Sequence, residues 1–134
     1  MKKIGKSKAL TWSNLFFLAP LILAIKYNLY WYVIVLFLVF IISYKFHFSE
    51  EDEELYFLDV VFSLVLMFFN FILLFMGHWI LPYSVFAVIC AIIALCFYCG
   101  RLKNDYGPSH SMWHIFSAGV CLFSLLTFIE YLKL

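Results

Sequence analysis

The feature that most constrains this chain is a series of five long apolar runs separated by polar residues. A helix needs about 20 apolar residues to cross the hydrocarbon core of a bilayer. Backbone groups in lipid must be satisfied within a helix or a closed barrel, and the sequence lacks the ~10-residue alternation of barrel strands. We therefore predict an all-α integral membrane helical bundle with about five transmembrane helices, formed by residues 1–134 as a single domain. The predicted spans are about 9–25, 29–46, 55–77, 79–99 and 109–131.

The composition supports this prediction and excludes two other classes of protein. Hydrophobic residues make up 66% of the 134 residues and charged residues 13%, whereas soluble domains average about 45–50% and about 25%. A soluble fold of this length could not bury so much apolar surface. The formal net charge of +1 provides no basic field for nucleic acid. Four cysteines lie inside apolar runs, which is typical of packing residues rather than of a disulfide framework: Cys90, Cys96, Cys99 and Cys121.

Basic residues predict the orientation of the bundle. With the N-terminus inside, the outer segments contain only Lys26 and Lys133, as the positive-inside rule requires. The acidic run at 50–54 then forms a solvated inner turn, because acidic residues contribute little to that rule. No small-residue cleavage site follows the first apolar run, so we expect a retained helix rather than a signal peptide. The inner basic residues are Lys2, Lys3, Lys6, Lys8, Lys45, Arg101 and Lys103.

Asp59 is the one acidic residue well within an apolar run, about one turn into the third. An ionisable side chain in lipid costs at least about 2.5 kcal/mol unless it is paired or hydrated, so it often marks a functional site. Capping of the helix or snorkelling to the membrane surface would also explain Asp59. On a helix, however, Ser63 and Asn70 lie on the same side as Asp59, which predicts a polar face turned into the bundle. His78 and Glu130, near the outer ends of runs, are interpreted as interfacial residues without a role.

Two histidines, His110 and His114, lie at the start of the last apolar run. Residues i and i+4 share a helix face, so both imidazoles can bind one metal ion. The preceding Gly107-Pro108 pair indicates a helix start. The positive end of the helix dipole then favours the neutral imidazole that ligates metals. A small and polar stripe continues along the same face with Ser117, Cys121 and Ser124.

Another pair at i and i+4, Ser43 and His47, lies at the end of the second apolar run. The predicted topology brings the end of the second helix and the starts of the third and fifth helices to the inner leaflet. His47, Asp59, His110 and His114 therefore share one depth. Three histidines and a carboxylate at one level are typical of a hydrolytic zinc site.

The order of these residues, Ser43-x-x-x-His47, then Asp59 in the next helix and His110-x-x-x-His114 in the last, resembles the CREST superfamily of membrane proteins. That superfamily includes alkaline ceramidases, adiponectin and progestin receptors and haemolysin III-like proteins, and several members are zinc-dependent lipid amide hydrolases. The resemblance implies that His47, His110 and His114 bind zinc. It also implies that Asp59 holds or activates the zinc-bound water and that Ser43 completes the polar shell. The chain departs from the family in having five predicted spans where the family typically has seven.

The leading hypothesis is a zinc-dependent intramembrane hydrolase that acts on a lipid amide, either ceramide-like or N-acyl. In this hypothesis the Zn2+ site lies near the cytoplasmic leaflet of a multi-pass protein, and Asp59 transfers the proton. Ser43 either donates a hydrogen bond to the developing oxyanion or orients Asp59. One alternative is a non-catalytic zinc site in a receptor-like or structural membrane protein. A second is a small proton-coupled transporter that uses Asp59, His47 and Asn70. Five helices are few for enclosing a lipid chain, which makes a homodimer plausible.

Overall fold

The computed structural model describes residues 8–48, 53–100 and 106–134, and all regular secondary structure in these ranges is helical. The predicted all-α bundle is therefore confirmed. Several residues used to predict the orientation lie outside the described ranges, namely Lys2, Lys3, Lys6, Arg101, Lys103 and the acidic residues 50–52. The elements are α1 (Lys8–Ser13), a 3-10 turn (Asn14–Phe17), α2 (Leu18–Lys26), α3 (Tyr30–Phe48), α4 (Glu53–Met76), α5 (Tyr83–Gly100) and α6 (Tyr106–Leu132).

Within the described ranges, four helices are long and apolar enough to cross a membrane. The outside of the bundle is apolar as well, with large side chains such as Phe57, Phe68 and Phe75 mostly exposed. An exterior of this kind is rare in soluble monomers and suits contact with lipid. Length and composition thus indicate a multi-pass membrane protein. The four segments are Tyr30–Phe48, Glu54–Met76, Tyr83–Gly100 and Gly107–Leu132, and the apolar segment Leu10–Lys26 is shorter.

The first apolar run is helical but irregular, which differs from the single span predicted at 9–25. The 3-10 turn at Asn14–Phe17 separates α1 from α2. Pro20 explains the break, because a proline has no N–H to donate to the carbonyl four residues earlier and its ring crowds that carbonyl. Tighter 3-10 hydrogen bonding in the preceding turn accommodates this loss.

The fourth helix begins later than predicted. Its apolar run starts at Trp79, whereas α5 begins at Tyr83. The backbone adopts positive φ at His78 and Trp79, and Pro82 cannot donate a helical hydrogen bond. The residues between α4 and α5 therefore form a turn, in which Ser84 Oγ donates to the Trp79 carbonyl at 2.9 Å.

α6 is the central helix of the bundle. It packs against α5, α4, α1, α2 and the 3-10 turn, whereas α3 packs on α4, α2, α1 and the same turn. The core between these helices contains fully buried side chains from three of them, Leu36 of α3, Leu73 of α4 and Leu125 of α6. The end of α3 and the start of α6 meet at one end of the bundle, which brings their histidines together.

Candidate metal centre

Three histidines from two helices converge at one end of the bundle. His47 lies in the last turn of α3, and His110 and His114 lie one turn apart near the start of α6. The His47 Nε2 atom lies 3.3 Å from the Nε2 atoms of both His110 and His114. One ring nitrogen from each residue lies within 4.8 Å of the other two, so the group can hold a metal ion.

The separation of the nitrogens fits a tetrahedral zinc site. Zn–N bonds of about 2.0–2.1 Å at tetrahedral angles separate the ligand nitrogens by about 3.3 Å. Hydrogen bonding explains the arrangement less well, because Nε2 of a neutral imidazole offers either one N–H or one lone pair. The His47 Nε2 atom, however, faces two nitrogens at that distance. The residues present therefore fit a bound cation.

Aromatic side chains pack against the histidines. His110 and His114 are buried and His47 is partly exposed. The Trp113 ring lies 4.8 Å from the His110 ring and 5.3 Å from the His114 ring, measured between centroids. The Phe17 ring meets His114 edge-on at 6.4 Å. A shell of this kind limits solvent access and raises the strength of electrostatic interactions in the site.

Asp59 and Ser43 are both buried, but neither belongs to the group of converging nitrogens. Ser43 lies one turn before His47 on α3 and lines a cavity that also reaches His114. Asp59 lies on α4, and the next residue, Val60, lines the same cavity. The structure thus brings three of the five predicted residues into one cluster, places Ser43 on the wall of the cavity and buries Asp59 on α4.

The cavity has a volume of about 280 Å³ and runs between α3, α4, α5 and α6. Its polar lining side chains include Ser63 and Asn70 of α4 and Ser117 of α6. The polar face predicted for the third helix is therefore confirmed, since Asp59 and Asn70 are buried. The other lining side chains are mostly aliphatic and aromatic.

A buried polar network lies farther along the bundle. The Tyr32 hydroxyl of α3 donates to Asn70 Oδ1 of α4 at 2.5 Å, and Asn70 Nδ2 donates to Cys121 Sγ of α6 at 3.4 Å. These three side chains connect α3, α4 and α6 within the core. Tyr32 was missed by sequence reasoning, because tyrosines near the ends of apolar runs are typical of interfacial anchors.

Phe17 and Trp113 are further residues of the site that sequence reasoning missed. Their aromatic types are common in every apolar run, so only the packing of the first run against α6 identifies them. Of the two residues interpreted as interfacial, Glu130 accepts a hydrogen bond from Lys133 Nζ at 2.9 Å. The His78 ring packs against Tyr131 at 4.6 Å between centroids.

Comparison of the chain with protein-family models, curated proteins and solved structures finds no match. The resemblance to the CREST superfamily stays a prediction from the motif residues and their order.

Proposed function

We propose that the chain is a zinc-dependent hydrolase of lipid amides that acts within the membrane. The observation that carries the proposal is the convergence of three histidines beside a cavity inside the bundle, in which the His47 Nε2 atom lies 3.3 Å from the Nε2 atoms of His110 and His114. The motif order that resembles the CREST superfamily supports the same activity. The inner basic residues favour a site near the cytoplasmic leaflet.

The ion would be held by His47, His110 and His114. Imidazole nitrogen suits zinc, and three protein ligands leave one position open, as in catalytic zinc sites. When bound, zinc supplies a Lewis acid and a water whose pKa falls towards neutrality. The surrounding side chains then determine which substrate binds and where protons move.

Asp59 and Ser43 would perform the proton and charge chemistry. Asp59, buried on α4, would accept a proton during attack on the acyl carbonyl and deliver it to the leaving amine. Ser43, which lines the cavity with His114, would donate a hydrogen bond to the developing oxyanion. Both groups act in a dry environment, where a correctly oriented donor or acceptor is most effective.

The cavity favours a substrate with an acyl chain. Most of its lining side chains are apolar. Leu64, Met67 and Leu95 line the cavity and are also more than half exposed on the outside of α4 and α5. A chain could therefore reach the cavity from the lipid, between these two helices, while its amide lies towards His114.

Metal content and turnover test the proposal separately. Purified wild-type protein should contain about one zinc per chain, and the double variant His110→Ala/His114→Ala should contain none. The Asp59→Asn variant should retain zinc and lose hydrolysis of ceramide or N-acyl lipids in mixed micelles. Glu130→Gln, a carboxylate change at the far end of α6, is the matched control and should retain both. Stoichiometric zinc in the double variant would contradict the site.

The second candidate is a non-catalytic zinc centre that ties α3 to α6. α3 packs on α4 and α2 rather than on α6, yet His47 reaches both histidines of α6. A metal ion would connect the two helices at this point and stabilise the bundle. Zinc-loaded wild-type protein without turnover on either lipid class would favour this candidate.

A further inference from the structure

The 3-10 turn between α1 and α2 lies against the metal centre. It packs on α6, and its last residue, Phe17, contacts the ring of His114 and lines the cavity. Asn14, its first residue, lies one turn earlier and is fully buried. An asparagine amide in an apolar run requires hydrogen-bond partners, because its burial without them is unfavourable.

Oδ1 of Asn14 and Nδ1 of His114 are buried in this region and have no hydrogen-bond partner among the described residues. The Asn14 Nδ2 atom already donates to the Leu10 carbonyl at 3.4 Å, which leaves the amide oxygen as an acceptor. The aromatic rings beside His114, those of Phe17 and Trp113, provide no strong acceptor.

The two atoms are chemically complementary once a metal is bound. An imidazole that ligates through Nε2 carries its proton on Nδ1, and this N–H needs an acceptor that fixes the tautomer and the ring orientation. We propose that Asn14 is the positioning residue of the metal centre and that its side-chain carbonyl accepts the Nδ1–H of His114. This inference rests on the proposed function, because it requires a metal bound at the histidines. It assigns a residue of the first apolar run to the surroundings of that metal.

The proposed hydrogen bond offers a role for the irregular backbone of the first run. A regular α-helix and a 3-10 turn direct the side chains of consecutive residues at different angles, about 100° and about 120° per residue. The turn at Asn14–Phe17 allows both Asn14 and Phe17 to be buried. Pro20, which causes the break in the helix, thus influences where Asn14 and Phe17 lie relative to His114.

A pair of isosteric substitutions tests the proposal. Asn14→Leu removes the acceptor at similar volume, and Asn14→Asp restores an acceptor oxygen. Zinc affinity is measured by competition with a chelator, and ligand geometry by the absorption spectrum of the cobalt-loaded protein. We expect Asn14→Leu to bind zinc about 10–100-fold more weakly and to show an altered cobalt spectrum. Asn14→Asp should bind with nearly wild-type affinity.

Ser124→Ala is the matched control. Ser124 Oγ is also fully buried on α6 without a hydrogen-bond partner in the described part of the chain, but it lies ten residues beyond His114. This variant should keep the wild-type zinc affinity and cobalt spectrum. A purely structural role of Asn14 would lower the stability of the metal-free protein without changing either metal measurement.

A measurement on the wild-type protein covers the case in which Asn14→Leu does not fold. In zinc-loaded protein with labelled histidines, we expect the Nδ1–H of His114 to resonate downfield, as a hydrogen-bonded imidazole proton does. If this downfield proton signal is absent, or if Asn14→Leu binds zinc with wild-type affinity, the proposed role of Asn14 is wrong but the proposed function is unaffected. Wild-type protein that binds no zinc would overturn both this proposal and the proposed function.

Discussion

At the residue scale, a few buried polar side chains specify how the helices of this apolar core are rotated against one another. The Tyr32 hydroxyl and the Asn70 amide connect α3 to α4, and the same amide reaches Cys121 on α6. Aliphatic contacts alone select weakly among helix rotations, since lipid tails are as apolar as leucine. Each hydrogen bond specifies one rotation of its two helices, so the network orients the histidine-bearing faces of α3 and α6.

Removal of the Tyr32 hydroxyl should therefore destabilise the bundle. Tyr32→Phe leaves Asn70 Oδ1 buried without this donor, and interhelical hydrogen bonds in membranes contribute about 0.6–1.7 kcal/mol. We expect a loss of about 1 kcal/mol in the free energy of unfolding, measured by denaturation in bicelles. Tyr30→Phe is the control, because the Tyr30 hydroxyl donates to Asn28 at an exposed position. Equal stability of both variants would contradict the role of the network.

At the scale of elements, the chain passes very close to α6 at Gly77, directly after the end of α4. A Cβ atom added at Gly77 would lie 2.9 Å from the backbone of both Thr127 and Phe128 on α6. Small residues at such positions let membrane helices approach closely. Glycine here is required by the neighbouring backbone, which cannot move aside as a flexible side chain would.

Gly77→Ala should consequently separate α4 from α6. We expect a loss of about 1–3 kcal/mol in the free energy of unfolding, typical of overpacking in a well-packed core. Met76→Ala, at the exposed neighbouring position, should change stability by less. The pair is compared by thermal unfolding in the same detergent. A wild-type midpoint for Gly77→Ala would show that the two helices do not approach closely at this glycine.

The sequence could predict the elements and the histidine cluster because both follow from local rules. A spacing of four residues brings His110 and His114 to one helix face, and the alternation of spans brings His47 to their depth. The positions of Asn14 and Phe17 beside the histidines could not be predicted, since they depend on the packing of the first run against α6. The late start of α5 follows from Pro82 and from the positive φ values at His78 and Trp79. The apolar run begins at Trp79 without interruption, so hydrophobicity alone does not indicate this turn.

At the scale of the whole molecule, the first apolar run determines how the chain crosses the membrane. Four long helices alone would bring both ends of the chain to the same side, whereas a fifth crossing by Leu10–Lys26 brings them to opposite sides. The run is short, but its side chains pack on α6 throughout its three segments. We therefore expect it to cross.

Reporter fusions at the two ends test this expectation. A reporter that is active only in the cytoplasm should be active at the N-terminus and inactive at the C-terminus. Insertion of the same reporter in the segment between α3 and α4 should give cytoplasmic activity and serves as the control. Cytoplasmic activity at both ends would mean that the first run lies within the bundle without crossing.

Zinc binding should stabilise the whole bundle, because the ligands come from helices that are far apart in the chain. His47 belongs to α3 and the other two histidines to α6, so unfolding separates them and the ion is lost. Free zinc at 100 times its Kd stabilises the folded state by about 2.7 kcal/mol, which raises the thermal midpoint by several degrees. A chelator should reverse the shift, and His110→Ala/His114→Ala should show none. A shift that persists in this double variant would mean that zinc stabilises the protein from a site other than the histidine cluster.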